Sequence, residues 1–478
     1  MKKYIEKYRS IPIQARASLW FLICGILQNG LSIITLPIFT RVLSTEQYGL
    51  SSTYFAWNDL IVVICTLRLS YGVFDKGMIR YSEQRDKFEA ALLGLTSTIA
   101  IIMTTLFLVF HNSVEKLLGM SFSLCLSLFV VQIFAPSLLF WTARNKYEYK
   151  YRNFVIVTVF TTVTCTFLNL TVVLLLRFDR GVVKILSYQA VWAVVYIIFY
   201  IMIFARGKIF FNLDMWKYAL SFNLPLIPYF LSTIVLDKAD RIMIADICGQ
   251  LYVALYSVSY NLGRLMVLLT SAVDATFTPW LYQNINKNQF SNCKKISTAI
   301  LTSFVGLSTL FMLFAPELIK IFAPDEYANA VYIIPPVVTS YFFVMLYGLV
   351  SKVEFYYERT KAIAVITVSA AILDIMLNTL AIPRFGYIAA GYTTLISYMF
   401  MAIGHLFLSG KIAKEHKIYD DVFAWNRILL LSIVMIFIML LVNVLYINAL
   451  LRYMILALLI ITLIVKRKLI INLVKTLV

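Results

Sequence analysis

Residues 92–110 read LLGLTSTIAIIMTTLFLVF, an apolar stretch without a single charged residue. A helix that crosses a bilayer needs about 20 predominantly apolar residues, whereas a strand of a membrane barrel needs about 10 residues that alternate between polar and apolar. The stretch does not alternate. It therefore predicts a membrane-spanning helix.

The composition extends this prediction to the whole chain of 478 residues, of which 61% are hydrophobic and 14% charged. A soluble protein is roughly 45–50% apolar and about 25% charged. Similar apolar stretches recur from end to end, so the sequence predicts an all-α, polytopic membrane protein with about fourteen helices. The predicted spans are 17–40, 49–70, 89–110, 121–143, 154–176, 184–204, 218–236, 251–275, 296–316, 328–350, 362–382, 387–409, 427–445 and 449–465.

The chain is strongly basic, with 42 Lys and Arg against 24 Asp and Glu and a net charge of +18. Such a charge often marks a nucleic-acid-binding protein. Here 29 of the 42 basic residues fall in the first 16 residues, in alternate loops and in the tail from 466, while eight fall in the opposite loops and five within the predicted spans. Because basic loops resist translocation, this asymmetry predicts that both termini are cytoplasmic. No nucleic-acid partner is expected.

A weak internal repeat suggests two halves of six helices each. The segments that begin at Tyr48 and Tyr252 both open a span after a short polar turn. Six helices between the copies would give the halves the same orientation, as in one class of transporters. The predicted organisation is a basic cytoplasmic N-terminus at 1–16, an N-lobe at 17–205, a C-lobe at 206–410, a cytoplasmic loop at 411–426, two further helices at 427–465 and a basic tail at 466–478.

Charged residues within predicted spans are the first candidates for function, because a charge at the bilayer centre costs about 2.5–3.5 kcal/mol on insertion scales. Asp59, Arg264 and Asp374 lie near the middle of their spans. Arg68 and Lys184 lie close enough to a membrane face for their side chains to reach it, which favours a structural role for both.

The eighth predicted span carries Tyr252, Tyr256, Tyr260 and Arg264 at intervals of four, with Asn261 beside them. Residues at this spacing share one face of a helix. Two interpretations remain open. The tyrosines could pack between helices with Arg264 paired to a carboxylate, or they could line an aqueous cavity in which aromatic rings stack on sugars and Arg264 binds phosphate.

The second predicted span offers Trp57, Asn58 and Asp59 at a comparable depth. If the two spans face each other, Asp59 is the natural counter-ion of Arg264 until a substrate phosphate displaces it.

A third set of charges, Asp237, Asp240 and Arg241, falls in the predicted turn between the seventh and eighth spans. It is interpreted either as solvated ion pairs or as an outer gate.

The sequence contains no recognised enzyme motif. The six cysteines are scattered without a CxxC pair, and the three histidines have no metal-ligand spacing. No catalytic residue, metal site or cofactor is therefore predicted.

Four stretches resemble one family: 18–52, 240–265, the FTPWLY sequence at 277–282, and LNTLAIPRFGYIAAGYTTLISY at 377–398. They are similar to polysaccharide biosynthesis flippases, the O-antigen-type repeat-unit exporters of the multidrug/oligosaccharidyl-lipid/polysaccharide (MOP) superfamily. The resemblance implies two six-helix lobes around a central cavity, lined by cationic residues, of which Arg264 is the best candidate here; Asp374 would line it too. Asp59 and Asp374 are the candidates for ion coupling.

The resemblance also implies a function. An undecaprenyl-pyrophosphate-linked oligosaccharide repeat unit would pass from the inner to the outer leaflet of the bacterial cytoplasmic membrane by alternating access. Its partners would be this lipid-linked substrate, membrane lipids and other polysaccharide assembly proteins. Alternatives are an exporter of lipid II or teichuronic acid, a drug/cation antiporter, an integral-membrane glycosyltransferase or polymerase, and a scaffold without transport activity.

Overall fold

The computed structural model describes residues 12–176, 178–287, 292–416 and 423–465, and these residues are almost entirely helical. This confirms the predicted all-α class. The α-helices are α1 (Ile13–Val42), α2 (Thr45–Thr66), α3 (Val73–Arg80), α4 (Arg85–Val109), α5 (His111–Leu118), α6 (Phe122–Phe134), α7 (Pro136–Tyr147), α8 (Tyr151–Leu175), α9 (Arg180–Gly207), α10 (Leu213–Asn223), α11 (Ile227–Ile247), α12 (Gln250–Gly263), α13 (Met266–Asn286), α14 (Cys293–Leu313), α15 (Ala315–Phe322), α16 (Ile334–Tyr356), α17 (Thr360–Phe385), α18 (Ile388–Glu415), α19 (Trp425–Leu445) and α20 (Ala449–Val465).

Within the described residues, twelve helical segments are long and apolar enough to cross a membrane. Some of these segments combine two consecutive helices, such as Phe122–Tyr147 and Gln250–Asn286. A helix also forms at the two remaining predicted spans. Of these, α2 carries several polar residues and α20 is only 17 residues long. The chain is therefore a multi-pass membrane protein.

Contacts divide the chain into two units, Met1–Ile234 and Val235–Val478. The division falls inside α11, later than the lobe boundary predicted after residue 205. Hydrogen bonds attach α10 to the first unit: Trp216 Nε1 donates to the Ala91 carbonyl at 2.7 Å, and Asn223 Nδ2 donates to the Leu67 carbonyl at 2.8 Å. The segment that opens the seventh predicted span thus packs with the helices that precede it.

Local sequence signals explain where several helices begin and how they approach each other. Ser44 and Gln47 form a capping box that starts α2, which satisfies amide groups at the helix end. Gly94 of α4 lies against the Phe210 carbonyl, and a Cβ atom at this position would be 1.9 Å from that oxygen. Only glycine permits this approach.

Buried ion pairs connect helices in both units. In the first unit, Arg144 Nη1 of α7 lies 2.5 Å from Asp86 Oδ1 and 2.6 Å from Glu89 Oε2 on α4. Glu89 is 1% exposed. In the second unit, His405 Nδ1 of α18 lies 2.7 Å from Glu354 Oε2 of α16, and both side chains are buried. Each pair connects two helices through at least one buried carboxylate, Glu89 or Glu354.

We expect Arg144→Met to destabilise the protein, because it leaves Glu89 buried without its cation. Breaking one side of a buried ion pair costs about 3–5 kcal/mol. The melting temperature in detergent, followed by tryptophan fluorescence, should fall, and adding Glu89→Gln to Arg144→Met should restore part of the loss. An Arg144→Met protein that melts like the wild type would contradict a structural role for the pair.

Candidate functional site

The charges predicted to lie in a turn between two spans lie instead within a continuous helix, α11. Asp240 and Arg241 are 1% and 4% exposed. The prediction that Asp237, Asp240 and Arg241 form solvated pairs in an outer loop is therefore wrong. The helix can continue through these charges because other helices of the second unit supply their partners.

Asp240 accepts hydrogen bonds from three helices. Its Oδ2 accepts from the Tyr256 hydroxyl of α12 and, at 2.7 Å, from Thr394 Oγ1 of α18. Its Oδ1 accepts from Asn378 Nδ2 of α17 at 2.7 Å. Three donors satisfy much of the hydrogen-bonding capacity of one buried carboxylate.

A second buried carboxylate, Asp374, shares one of these donors. Asn378 Nδ2 also donates to Asp374 Oδ2 at 3.2 Å, and Asn378 Oδ1 accepts from Thr393 Oγ1 at 2.5 Å. Asp374 is completely buried. Asp240, Asp374, Asn378, Thr393 and Thr394 thus form one polar group of side chains, here called the Asp240 cluster.

Asp237 has its own set of partners, one turn before Asp240. Its Oδ1 accepts from the Tyr260 hydroxyl at 2.9 Å, and its Oδ2 lies 3.2 Å from Lys238 Nζ. The Arg241 guanidinium lies 4.5 Å from the Tyr260 ring centroid, which is within cation–π range. Arg241 Nη1 donates to the Asp237 carbonyl at 2.7 Å.

The tyrosine face of the eighth predicted span is mostly interior. Tyr256 and Tyr260 are 0% and 1% exposed, whereas Tyr252 is 40% exposed and packs on Tyr387 with ring centroids 4.9 Å apart. Of the two interpretations offered by the sequence, this agrees with tyrosines packed between helices. The rings of Tyr256 and Tyr260 are not available to stack on a sugar in this structure.

Arg264 marks a break in the predicted span. The helix α12 ends at Gly263 and α13 begins at Met266, and Arg264 between them is exposed. Asn261, one turn earlier, is half-buried. Gly263 allows close packing of this region against α16, since a Cβ atom there would lie 2.6 Å from Val337 Cγ1. Arg264 also interacts electrostatically with Asp237. An exposed guanidinium within a long apolar segment can meet an anionic group.

The candidate residues of α2 lie in the first unit and are half-buried. Asn58 Oδ1 accepts from Gln132 Nε2 at 3.1 Å, and Asp59 interacts electrostatically with Arg68. Trp57 precedes them on the same helix. The pairing of Asp59 with Arg264 would join two units and remains a prediction.

The Asp240 cluster has the chemistry to hold a hard cation or a proton. Its carboxylate, amide and hydroxyl oxygens are ligand types that such cations use. Among the described residues, no group of three or more His, Cys, Asp and Glu side chains is placed to hold a metal ion. A cation at this position would therefore depend on amide and hydroxyl oxygens as well as on the two carboxylates.

A second polar region lies at the end of α7, where a cavity of about 910 Å³ is lined by both charges and aromatic rings. Glu148 lies in the short connection after α7. Burial alone would raise its pKa, but hydrogen bonds from Lys150 and Arg144 hold the pKa of Glu148 below its usual range. The carboxylate therefore stays ionised and paired.

Comparison with known families decides the classification. The sequence profile of the family described as Polysaccharide biosynthesis protein matches residues 15–285. The chain belongs to this family. The profile described as MatE matches residues 225–380, and the transporter is a member of the MOP superfamily. No curated protein sequence matches the chain.

Solved structures show a similar fold at low sequence identity. The lipid II flippase MurJ, in an inward closed conformation, is 15% identical with a TM-score of 0.63, over 95% of this chain and 99% of that one. An inward-facing multidrug resistance MATE family transporter is 14% identical with a TM-score of 0.58, over 84% and 99% of the two chains. A MOP superfamily transporter from Pyrococcus furiosus is 15% identical with a TM-score of 0.53, over 84% and 95%.

Sequence reasoning missed Asn378, Thr393 and Thr394 as members of the cluster. One signal was present, because Asn378 follows Asp374 by four residues and so shares its helix face. All three residues also fall in the 377–398 stretch that carries the family resemblance.

We expect Tyr256→Phe to lower the melting temperature, because Asp240 loses one of its donors while remaining buried. The expected cost is about 1–3 kcal/mol. The matched control is Tyr252→Phe, four residues earlier on the same helix, which should melt like the wild type because Tyr252 is exposed. Equal melting of the two variants would show that the Asp240 contact does not stabilise the second unit.

Proposed function

We propose that this transporter moves undecaprenyl-pyrophosphate-linked oligosaccharide repeat units from the inner to the outer leaflet of the bacterial cytoplasmic membrane, for surface polysaccharide synthesis. Both termini would face the cytoplasm, and the route would be alternating access between the two lobes. Membership of the polysaccharide biosynthesis protein family supports this substrate class.

The observation that carries the proposal is the contrast between an exposed cation and buried acids. Arg264 is exposed at the helix break, whereas Asp240 and Asp374 are 1% and 0% exposed. A guanidinium offers planar, paired donors that match phosphate oxygens. In this proposal Arg264 binds the pyrophosphate and Asn261 lies beside it. Trp57, Asn58 and Asp59 of α2 contribute from the N-lobe, with Asp59 as the counter-ion in the absence of substrate.

Tyr256 and Tyr260 have a positioning role in this proposal. Their hydroxyls donate to Asp240 and Asp237 within α11, so that both carboxylates are hydrogen-bonded when phosphate approaches Arg264. The paired charges of Asp237, Asp240 and Arg241 would then fix the outer part of the C-lobe rather than open and close as a gate.

The membrane potential supplies part of the driving force. Moving one elementary charge through 100 mV is worth about 2.3 kcal/mol. A pyrophosphate with roughly two negative charges would gain several kcal/mol by moving outward across an inside-negative membrane.

Ion coupling through the Asp240 cluster adds to this force. Asp374, a candidate from the sequence, shares the Asn378 amide with Asp240. Two buried carboxylates so close together gain from a bound cation that reduces their repulsion. We infer that a proton or a sodium ion binds at these two residues and biases the conformation of the C-lobe.

Two related activities are the principal alternatives. The MatE match over residues 225–380 favours a drug/cation antiporter, which would need acidic groups exposed to its substrate. The fold shared with the lipid II flippase also allows lipid II or teichuronic acid precursors as cargo. Direct transport of each cargo by purified protein discriminates between them. A glycosyltransferase, polymerase or scaffold role would leave transport absent in the same assay.

We expect Arg264→Ala to abolish export while the protein still inserts, because the substrate phosphate loses its cationic partner. The assay is translocation of lipid-linked oligosaccharide in proteoliposomes, scored by accessibility of the glycan to a lectin. Arg264→Lys should retain partial activity. The control is Arg384→Ala, which removes another exposed arginine of the second unit. Full activity of Arg264→Ala would overturn the assignment.

We expect transport in proteoliposomes to fall when valinomycin and equal potassium concentrations clamp the potential to zero. Asp374→Asn should remove the remaining dependence on a proton or sodium gradient but leave the dependence on potential. Asp274→Asn is the control, because Asp274 is half-exposed and pairs with Lys352 at 3.0 Å. Transport that is indifferent to the potential would disprove its role as a driving force.

A further inference from the structure

Two cations at one end of the first unit take no part in the site described above. Arg180 and Lys184 lie in the first two turns of α9, four residues apart and therefore on the same helix face. Arg180 Nη1 donates to the Val42 carbonyl at the end of α1, at 3.2 Å. Lys184 Nζ lies 4.5 Å from the Phe39 ring centroid and 4.9 Å from that of Tyr48.

The position of these cations is fixed by close packing between α9 and the start of α2. A Cβ atom on Gly181, which lies between them, would be 2.9 Å from Gln47 Cβ. Gln47 is itself held in the capping box with Ser44. Phe39 and Tyr48 are buried, so the two rings beside Lys184 are also held in place. The cations therefore do not depend on a ligand for their arrangement.

This arrangement is electrostatically unfavourable without an anion. Like charges at i and i+4 repel, and both lie at the positive end of the helix dipole. Asp179 caps α9 by accepting from the Val182 amide at 3.3 Å. Within the described part of the chain, no carboxylate oxygen lies within 4 Å of the Arg180 or Lys184 nitrogens.

Both cations also have unmet interactions. The Lys184 ammonium is desolvated by its surroundings, and the two aromatic faces compensate only in part. Buried Arg180 Nε has no hydrogen-bond partner. The sequence predicts that the Lys184 side chain reaches a membrane face. This prediction does not account for the position of its nitrogen, which faces two aromatic rings. A charge in such a place points to a functional partner.

We propose that Arg180 and Lys184 form a second anion subsite, which binds the phosphate of the polyprenyl carrier when the substrate reaches the outer leaflet. This inference rests on the proposed function for the identity of the ligand. A guanidinium and an ammonium at the positive end of a helix dipole together suit a phosphate oxygen cluster. The predicted topology puts this end of α9 on the outer side.

The adjoining helix provides room for the lipid tail. Only 12% of the apolar window of α1 is buried within the protein, so this helix leaves most of its side chains at least partly exposed. A polyprenyl chain could lie along α1 in the bilayer while its phosphate meets Arg180 and Lys184 at the membrane interface. The subsite would thus hold the carrier at the level where release begins.

The test measures binding of undecaprenyl phosphate to full-length protein in phosphatidylcholine nanodiscs, by native mass spectrometry. Lys184→Met keeps the length and packing of the side chain but removes its charge, and Arg180→Gln removes the second cation. We expect each to weaken binding about tenfold, as for the loss of one charge-assisted hydrogen bond. Lys184→Arg should retain binding. The matched control is Lys116→Met, an exposed lysine on the same predicted side.

Two further measurements separate the alternatives. Binding of phosphatidylglycerol in place of undecaprenyl phosphate tests whether the site binds ordinary anionic lipid. If Lys184→Met weakens the binding of phosphatidylglycerol but not that of undecaprenyl phosphate, the assignment to the carrier is overturned. Melting temperature tests a structural role: we expect Lys184→Met to melt at or above the wild-type temperature, because it removes a desolvated charge. Unchanged binding of undecaprenyl phosphate by Lys184→Met would also refute the subsite.

Because this assay contains no transport step, it is independent of the proposed function. If the wild type binds undecaprenyl phosphate through Lys184 but fails to flip oligosaccharide, the subsite stands and the proposed function falls. If flipping occurs but Lys184→Met binds the carrier normally, the proposed function stands and the subsite falls.

Discussion

The absence of water from the bilayer is the constraint on which this structure depends. A buried polar group there must find its partner within the protein or pay several kcal/mol. Asp240 shows the consequence, because its carboxylate accepts hydrogen bonds from α12, α17 and α18 while its own helix is α11. One carboxylate thereby fixes the relative positions of four helices of the second unit. Apolar contacts alone give little such direction, because lipid tails offer helices an equally apolar surface.

The same constraint acts differently in the first unit. Arg144 meets three carboxylates on two segments, of which Glu89 is buried and Asp86 is half-exposed. This network can exchange with water at its edge, whereas the Asp240 cluster cannot. Conformational change in a transporter requires some interactions to break while others persist. The Asp240 cluster is suited to persist and the network around Arg144 is suited to break, since only the Arg144 network can replace lost protein partners with water.

The spans could be predicted from the sequence because the signal is local: twenty apolar residues form a helix wherever they occur in a bilayer. In the i, i+4 series from Tyr252 to Arg264, only Tyr256 and Tyr260 are buried, whereas Tyr252 and Arg264 are exposed. The hydrogen-bond partners of Asp240 could not be predicted, since Asn378 and Thr394 lie more than a hundred residues away from it in the sequence. The prediction of a solvated turn at 237–250 failed for the same reason. Charges normally end an apolar span. Here the helix continues because the distant donors offset the free-energy cost of burying these charges.

The distribution of charge between surface and interior argues for an anionic cargo. In the second unit Asp240 and Asp374 are withdrawn from solvent and hydrogen-bonded, whereas Arg264 is exposed where the span breaks between α12 and α13. A site for organic cations would need carboxylates that are accessible and unpaired, whereas half-exposed Asp274 pairs with Lys352 at 3.0 Å. Asp237, which interacts electrostatically with Arg264, lies one turn before Asp240 on α11. A cation bound by Asp240 and Asp374 would therefore strengthen the local positive potential that a phosphate meets. Ion binding and anion binding would then favour each other through electrostatics alone, which is a physical basis for coupling that requires no contact between the two ligands.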